Sequence, residues 1–156
     1  MRYAILICAF SFIAASEASA RSQDADGWTY LECNWTRTAY QDVDGERSTA
    51  DELSGRVILA FNERAVHFFM LDNRQWSPDL CSPRTADDTA RCLIEATGVR
   101  AEWTTQDWAE SRYLTEIDLA SMRYSHAWDY ADSAAFSGGM RWAGPCTPTT
   151  DPTPDE

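Results

Sequence analysis

From residue 122 to residue 130 every second side chain is large: Met122, Tyr124, His126, Trp128 and Tyr130 alternate with Arg123, Ser125, Ala127 and Asp129. A period of two puts those five on one face of a β-strand and would scatter them around a helix. The same period recurs along most of the chain. Residues 28–40 place Leu31, Cys33 and Trp35 on a shared face, and 56–61 (RVILAF) and 65–71 (AVHFFML) flank Asn62-Glu63-Arg64, a connection short enough for a hairpin. Residues 92–97 and 99–105 follow on either side of Gly98, the second with Val99, Ala101 and Trp103 alternating with Arg100, Glu102 and Thr104. Segments 111–119 and 122–130 repeat the pattern across Ala120-Ser121, and 134–142 closes the series. Between these runs, Gln41 to Gly45 (QDVDG) reads as a turn, and 72–91, interrupted by Pro78, Pro83 and Asp87-Asp88, reads as a loop with at most one helical turn near 85–89. The expectation is an all-β antiparallel meander of about seven to eight strands, curled into a small barrel or sandwich. The aromatic face of 122–130 is its clearest core; a ligand-binding wall built from the same side chains is the sharper reading.

The two ends of the chain differ from this middle. Residues 1–20 have the form of a signal peptide, with Arg2, an apolar run over 4–15 and the small residues Ala18-Ser19-Ala20 at a cleavage position. Residues 21–146 form a single β domain, and 147–156 (TPTTDPTPDE), without one large apolar residue, read as a disordered acidic Pro/Thr tail. No stretch approaches the roughly 20 apolar residues of a transmembrane helix. A periplasmic or secreted protein is expected. The sequence has 25 Asp and Glu against 13 Lys and Arg, all of the latter arginine, for a net charge of −12. Removing the first twenty residues takes away one charge of each sign, Arg2 and Glu17. Phosphate backbones would be repelled, so nucleic acid is excluded as a partner, whereas a protein, a cationic peptide or a glycan is compatible.

Cleavage would also remove Cys8 and leave Cys33, Cys81, Cys92 and Cys146 in an oxidising compartment. Four cysteines allow three pairings, and sequence alone does not choose rigorously among them. Joining Cys81 to Cys92 tethers the loop between them; Cys33 with Cys146 then ties the first strand to the end of the last. No C-x-x-C suggests redox chemistry, and neither His67 nor His126 stands at zinc-ligand spacing from a cysteine pair, so no metal or cofactor is expected.

A catalytic constellation is equally hard to assemble. There is no G-x-S-x-G elbow, and Ser125 and His126, though adjacent, point to opposite faces of a strand. With so many acids, some carboxylate pair will fall at a separation suited to glycoside hydrolysis by chance alone. Seven tryptophans are many for this length. Trp76 and Trp108 stand in polar surroundings (DNRQWSP and TTQDWAE) and suit stacking on sugar rings beside carboxylates, with buried loop anchors as the competing explanation. Asp87 and Asp88 mark the loop closed by Cys81 and Cys92 as a recognition element, with Trp76 and Trp108 as the other binding candidates.

The opening Trp28-Thr29-Tyr30-Leu31-Glu32-Cys33, the Ile117-Asp118 pair and the closing Gly144-Pro145-Cys146 resemble motifs of a group of small exported bacterial β proteins of unknown function. The resemblance implies a bacterial source and a first-to-last cysteine bond, and assigns no catalytic residue. The functional expectation is an exported, disulfide-stabilised binding or envelope-associated module rather than an enzyme, an inhibitor of a secreted enzyme being one form of it. A carboxylate-dependent hydrolase or a carbohydrate-binding protein is the alternative.

Overall fold

The computed structural model describes residues 24, 26–50, 52–106, 110–133 and 136–153. The proposed signal segment, Trp108 and the last three tail residues lie outside them. Ten strands form one antiparallel sheet: β1 (Thr29–Val43), β2 (Glu46–Thr49), β3 (Leu53–Phe61), β4 (Val66–Met70), β5 (Gln75–Trp76), β6 (Thr89–Glu95), β7 (Gly98–Thr105), β8 (Glu110–Asp118), β9 (Arg123–Ser133) and β10 (Phe136–Thr149). The count exceeds the expected seven to eight. The four-residue β2 and two-residue β5 account for the excess, since neither is long enough to leave a periodic signature.

Side by side the strands run β5-β4-β3-β1-β10-β9-β8-β7-β6, with β2 paired on β1. This is a meander that curls until its first and last long strands pair, β1 against β10 from Tyr30 opposite Thr149 to Val43 opposite Phe136. The opening of the half-barrel falls in mid-chain, between the edges β5 and β6. Turn chemistry sets the register locally. Asp44 and Gly45, with φ of 51° and 84°, make the two-residue β1–β2 hairpin that an Asp-Gly pair favours. At the β8–β9 turn the Asp118 carboxylate accepts from the backbone N–H of Ala120 (2.9 Å) and Ser121 (3.1 Å) and from the Ser121 hydroxyl (2.6 Å), which holds its pKa below the usual carboxylate range.

Curling requires close backbone approach. At Gly144 a Cβ would run into the Asn34 carbonyl, and at Gly55 it would overlap the Trp35 indole, which covers the gap with its own apolar surface. Strand β10 carries on past Cys146, so residues 147–149, which composition assigns to the tail, pair with Glu32, Leu31 and Tyr30. Pro148 fits there because its nitrogen faces the side to which Cys146 donates its N–H, and β9 has already ended.

Disulfides join Cys33 to Cys146 and Cys81 to Cys92. The first links residues directly opposite in the β1–β10 ladder. By loop entropy alone, closing 113 residues is worth about 5 kcal/mol and closing 11 about 3 kcal/mol. Two disulfides suit a periplasmic or extracellular setting, and no helix long and apolar enough to cross a membrane occurs among the described residues.

The core lies inside the curl: Leu31, Cys33, Leu59, Phe61, Val66, Leu80, Val99, Ala101, Ile117, Leu119, Tyr124 and Cys146 form one buried cluster. Leu80 does not belong to a strand. It comes from the β5–β6 connection, expected to be a loop without a core of its own, and it is 3% exposed. The connection is stitched to β4: Ser77 N–H donates to the Phe68 carbonyl (2.7 Å), Leu80 N–H to the Val66 carbonyl (2.9 Å), and Val66 N–H to the Asp79 carboxylate (3.1 Å). It therefore plugs one end of the opening.

Candidate functional site

Strand parity carries the inward face beyond the buried cluster toward the other end of the curl. Across the sheet its side chains stand in three rows: Arg37, Trp142, His126, Thr115 and Ala101; then Ala39, Met140, Trp128, Tyr113 and Trp103; then Gln41, Gly138, Tyr130, Ser111 and Thr105. The aromatic alternation of 122–130 does point inward. Of that set only Tyr124, at 5% exposure, is core; His126, Trp128 and Tyr130 are half-buried. The correction has a simple cause: Tyr124 lies in the same buried cluster as Leu80 of the plug, whereas His126, Trp128 and Tyr130 lie outside that cluster and keep part of their surface exposed.

The rings at this open end stack on one another. Trp103 lies parallel to Tyr113 with centroids 4.9 Å apart and 2° between planes, and Tyr113 stacks on Trp128 at 6.2 Å and 12°. Trp128 also meets Tyr130 at 5.1 Å. Flat rings aligned on neighbouring strands make a continuous apolar surface with limited rotamer freedom. His126 marks the seam between the two ends. It touches Phe68 of β4 edge-on at 5.7 Å across the interior and Trp142 at 5.0 Å, and its Nδ1 is hydrogen-bonded to the fully buried Thr115 hydroxyl at 2.8 Å. Burial first, and then the positive charge of Arg141, push its pKa down to about 4, so the ring is neutral near pH 7.

Three polar atoms on this face, Arg37 Nε, Trp128 Nε1 and Thr105 Oγ1, are buried and have no hydrogen-bond partner among the described residues. Buried polar atoms left unpaired are rare and each needs a reason. Arg37 is also the one charged residue among the described strand positions of this face from Leu31 to Gln41 on β1 and their partners out to β4 and β6. It stands opposite Trp142 on β10 and Leu53 on β3.

The outer face behaves differently. Arg47 pairs with Asp42 (2.8 Å), Arg100 with Glu116, Arg112 with Glu102, and Arg141 with Asp129 (2.7 Å). Tyr40 donates to Asp129 while Arg47 and Arg141 lie over its ring at 4.6 and 5.3 Å, and burial together with Asp129 raises its pKa. A surface groove of ≈ 600 Å³ between Leu93, Arg100, Glu116, Asp118 and Arg123 is on this outer side. Glu116 is engaged by Arg100 and Asp118 by its turn, so size alone does not make it the better site.

Of the sequence-proposed binding residues, Trp76, Asp87 and Asp88 are not on the open face. Trp76 is on β5, half-buried against Phe69 (5.1 Å) and Tyr30 (5.9 Å), where it serves as a packing anchor. Asp87 is exposed, and Asp88 accepts from the Thr85 N–H (3.0 Å), which closes the turn within the loop. Trp108 lies outside the described residues. Asp88 lines one narrow crevice together with Trp103. Arg37, Trp103, Tyr113, Trp142 and Thr105 were missed as a group. One signal was available: Arg37 continues the Leu31, Cys33, Trp35 parity, a charge in line with a core face.

No protein-family model matches this chain, and no curated protein matches it. Among the described residues no group of three or more His, Cys, Asp or Glu is arranged to hold a metal ion.

Proposed function

We propose that this chain is an exported, non-enzymatic binding module, and that its ligand lies on the open aromatic half of the concave face. The observation that carries the reading is the set of partnerless buried donors, Arg37 Nε–H, Trp128 Nε1–H and the Thr105 hydroxyl, among aligned half-exposed rings. Unsatisfied donors weaken a fold by about 1 to 3 kcal/mol each, a cost that a ligand with acceptors removes where its arrival shifts the covering side chains enough to reach them. A carboxylate-dependent hydrolase has less support, because it needs two acids about 5 to 9 Å apart around the substrate, and the described strand positions of this face from Leu31 to Gln41 and their partners out to β4 and β6 carry none. Recognition by the 82–91 loop also has less support, since Asp88 is spent on the turn and neighbouring Leu80 plugs the core. A periplasmic or secreted location fits the two disulfides and the signal-like first twenty residues.

The test uses the oxidised mature protein and two flat aromatic probes, 2-naphthoate and 2-naphthamide. At least one probe is expected to shift the indole N–H NMR signals of Trp103 and Trp128 and to leave those of Trp28 and Trp76 in place. If neither probe moves Trp103 or Trp128, the open face is not a binding surface.

A further inference from the structure

Resting on that reading of the open face, we propose that the ligand is a small organic anion, a carboxylate on a flat aromatic body, with the carboxylate held by Arg37 and the ring laid against Trp128 and Trp142. Charge is the first reason. Five described arginines, Arg47, Arg56, Arg100, Arg112 and Arg141, lie within 4 Å of a carboxylate; Arg64, Arg74, Arg84, Arg91 and Arg123 lack such a partner among the described residues but are exposed to water, whereas Arg37 lacks one and is half-buried. Its Nε–H is buried and has no acceptor among the described residues.

Chemistry of the other groups narrows the choice further. An indole N–H can only donate, and a guanidinium carries five donors in a planar fork that matches the two oxygens of a carboxylate. From Leu31 to Gln41 on β1 and their described partners out to β4 and β6 the face holds no Asp or Glu, so it offers few acceptors to the hydroxyls of a neutral sugar, and the positive charge of Arg37 disfavours a cation over the rings. What remains complementary is a group rich in acceptors attached to a surface that can stack. The half-buried Trp103, Tyr113, Trp128 and Trp142 rings supply the apolar contact for an aromatic body.

The experiment compares 2-naphthoate, its uncharged amide and galacturonate on the mature oxidised protein, by indole N–H shifts and intrinsic fluorescence. 2-Naphthoate is expected to bind at least tenfold more tightly than 2-naphthamide, and Arg37→Gln to bring the acid down to the level of the amide while leaving the amide unchanged. Equal affinity of acid and amide for the unmutated protein overturns the anion assignment without touching the binding-module reading, and needs no variant. A preference for the acid that survives Arg37→Gln removes Arg37 as the anchor. Galacturonate binding as tightly as 2-naphthoate overturns the aromatic body. Silence of both naphthyl probes overturns the inference together with the reading beneath it.

Discussion

The two ends of the concave face are built by the same strands with the same alternation, yet one is a core and the other a surface. At the closed end Leu31, Leu59 and Val66 are 2%, 0% and 0% exposed, packed beneath Leu80 and beside the Cys33–Cys146 bond. At the open end the inward rings Trp103, Tyr113, Trp128, Tyr130 and Trp142 are large and only half-buried, although the small Ser111 and Thr105 beside them are 3% and 8% exposed. Hydrophobicity along a strand therefore does not by itself say what a face is for. The difference lies in what crosses the opening: the β5–β6 connection is sewn to β4 at Val66 and Phe68 and puts Leu80 into the closed end, while among the open-end rings it lines a narrow crevice with Trp103.

The sharpest break of this comparison is a pair of truncations. Leu59→Ala should cost about 3 kcal/mol, since it leaves a cavity where neighbours cannot collapse. Trp128→Ala removes more atoms but should cost about 1 kcal/mol, mostly the lost stacking on Tyr113. Urea denaturation midpoints at a shared slope decide it. A Trp128 variant as damaged as the Leu59 variant would make the open end a core after all.

His126 tests the seam. Its folded pKa of about 4 lies below the ordinary value of 6.5, so between those two pH values the unfolded chain binds a proton that the folded chain excludes. Stability should be full above about pH 6.5 and fall by about 2 to 3 kcal/mol as pH drops through 4. Replacing His126 by Gln should flatten that part of the acid limb whatever it does to stability at pH 7. An unchanged slope between pH 6.5 and 4 would mean that water already reaches the ring, and that the seam is open too.

The smallest effect has the opposite sign. Because the buried Arg37 Nε–H has no acceptor, Arg37→Met should leave the ligand-free protein as stable as before or gain up to about 1 kcal/mol. Thermal unfolding reads this directly. A loss of more than 1 kcal/mol would show that the folded chain already uses the guanidinium, which removes the contrast between Arg37 and the paired arginines outside.

Much of this architecture was legible in residue order because it is local. Alternation is a property of neighbours two apart, so Leu31-Cys33-Trp35, Val99-Ala101-Trp103 and the 122–130 face could be assigned before any fold was known. The Asp44-Gly45 turn is likewise decided by the two residues that make it. Both disulfides were among the pairings that the spacing allowed, and the one across the β5–β6 loop needs only chain proximity.

Which stretches of that alternation became core and which became a candidate site was decided by the tertiary structure alone. Trp76 in a polar context and Trp103 in a strand looked like a binding residue and a core residue; the fold packs the first against Phe69 and Tyr30 and stacks the second at the rim of the open end. Arg37, Trp128 and Thr105 come from β1, β9 and β7, and no local pattern announces that curling the sheet brings their donors onto one surface. The physical reason is that burial depends on what covers a side chain from across the barrel. That cover is Leu80, more than twenty residues from any of the three, held in place by backbone hydrogen bonds to a strand at the opposite edge of the opening from β6.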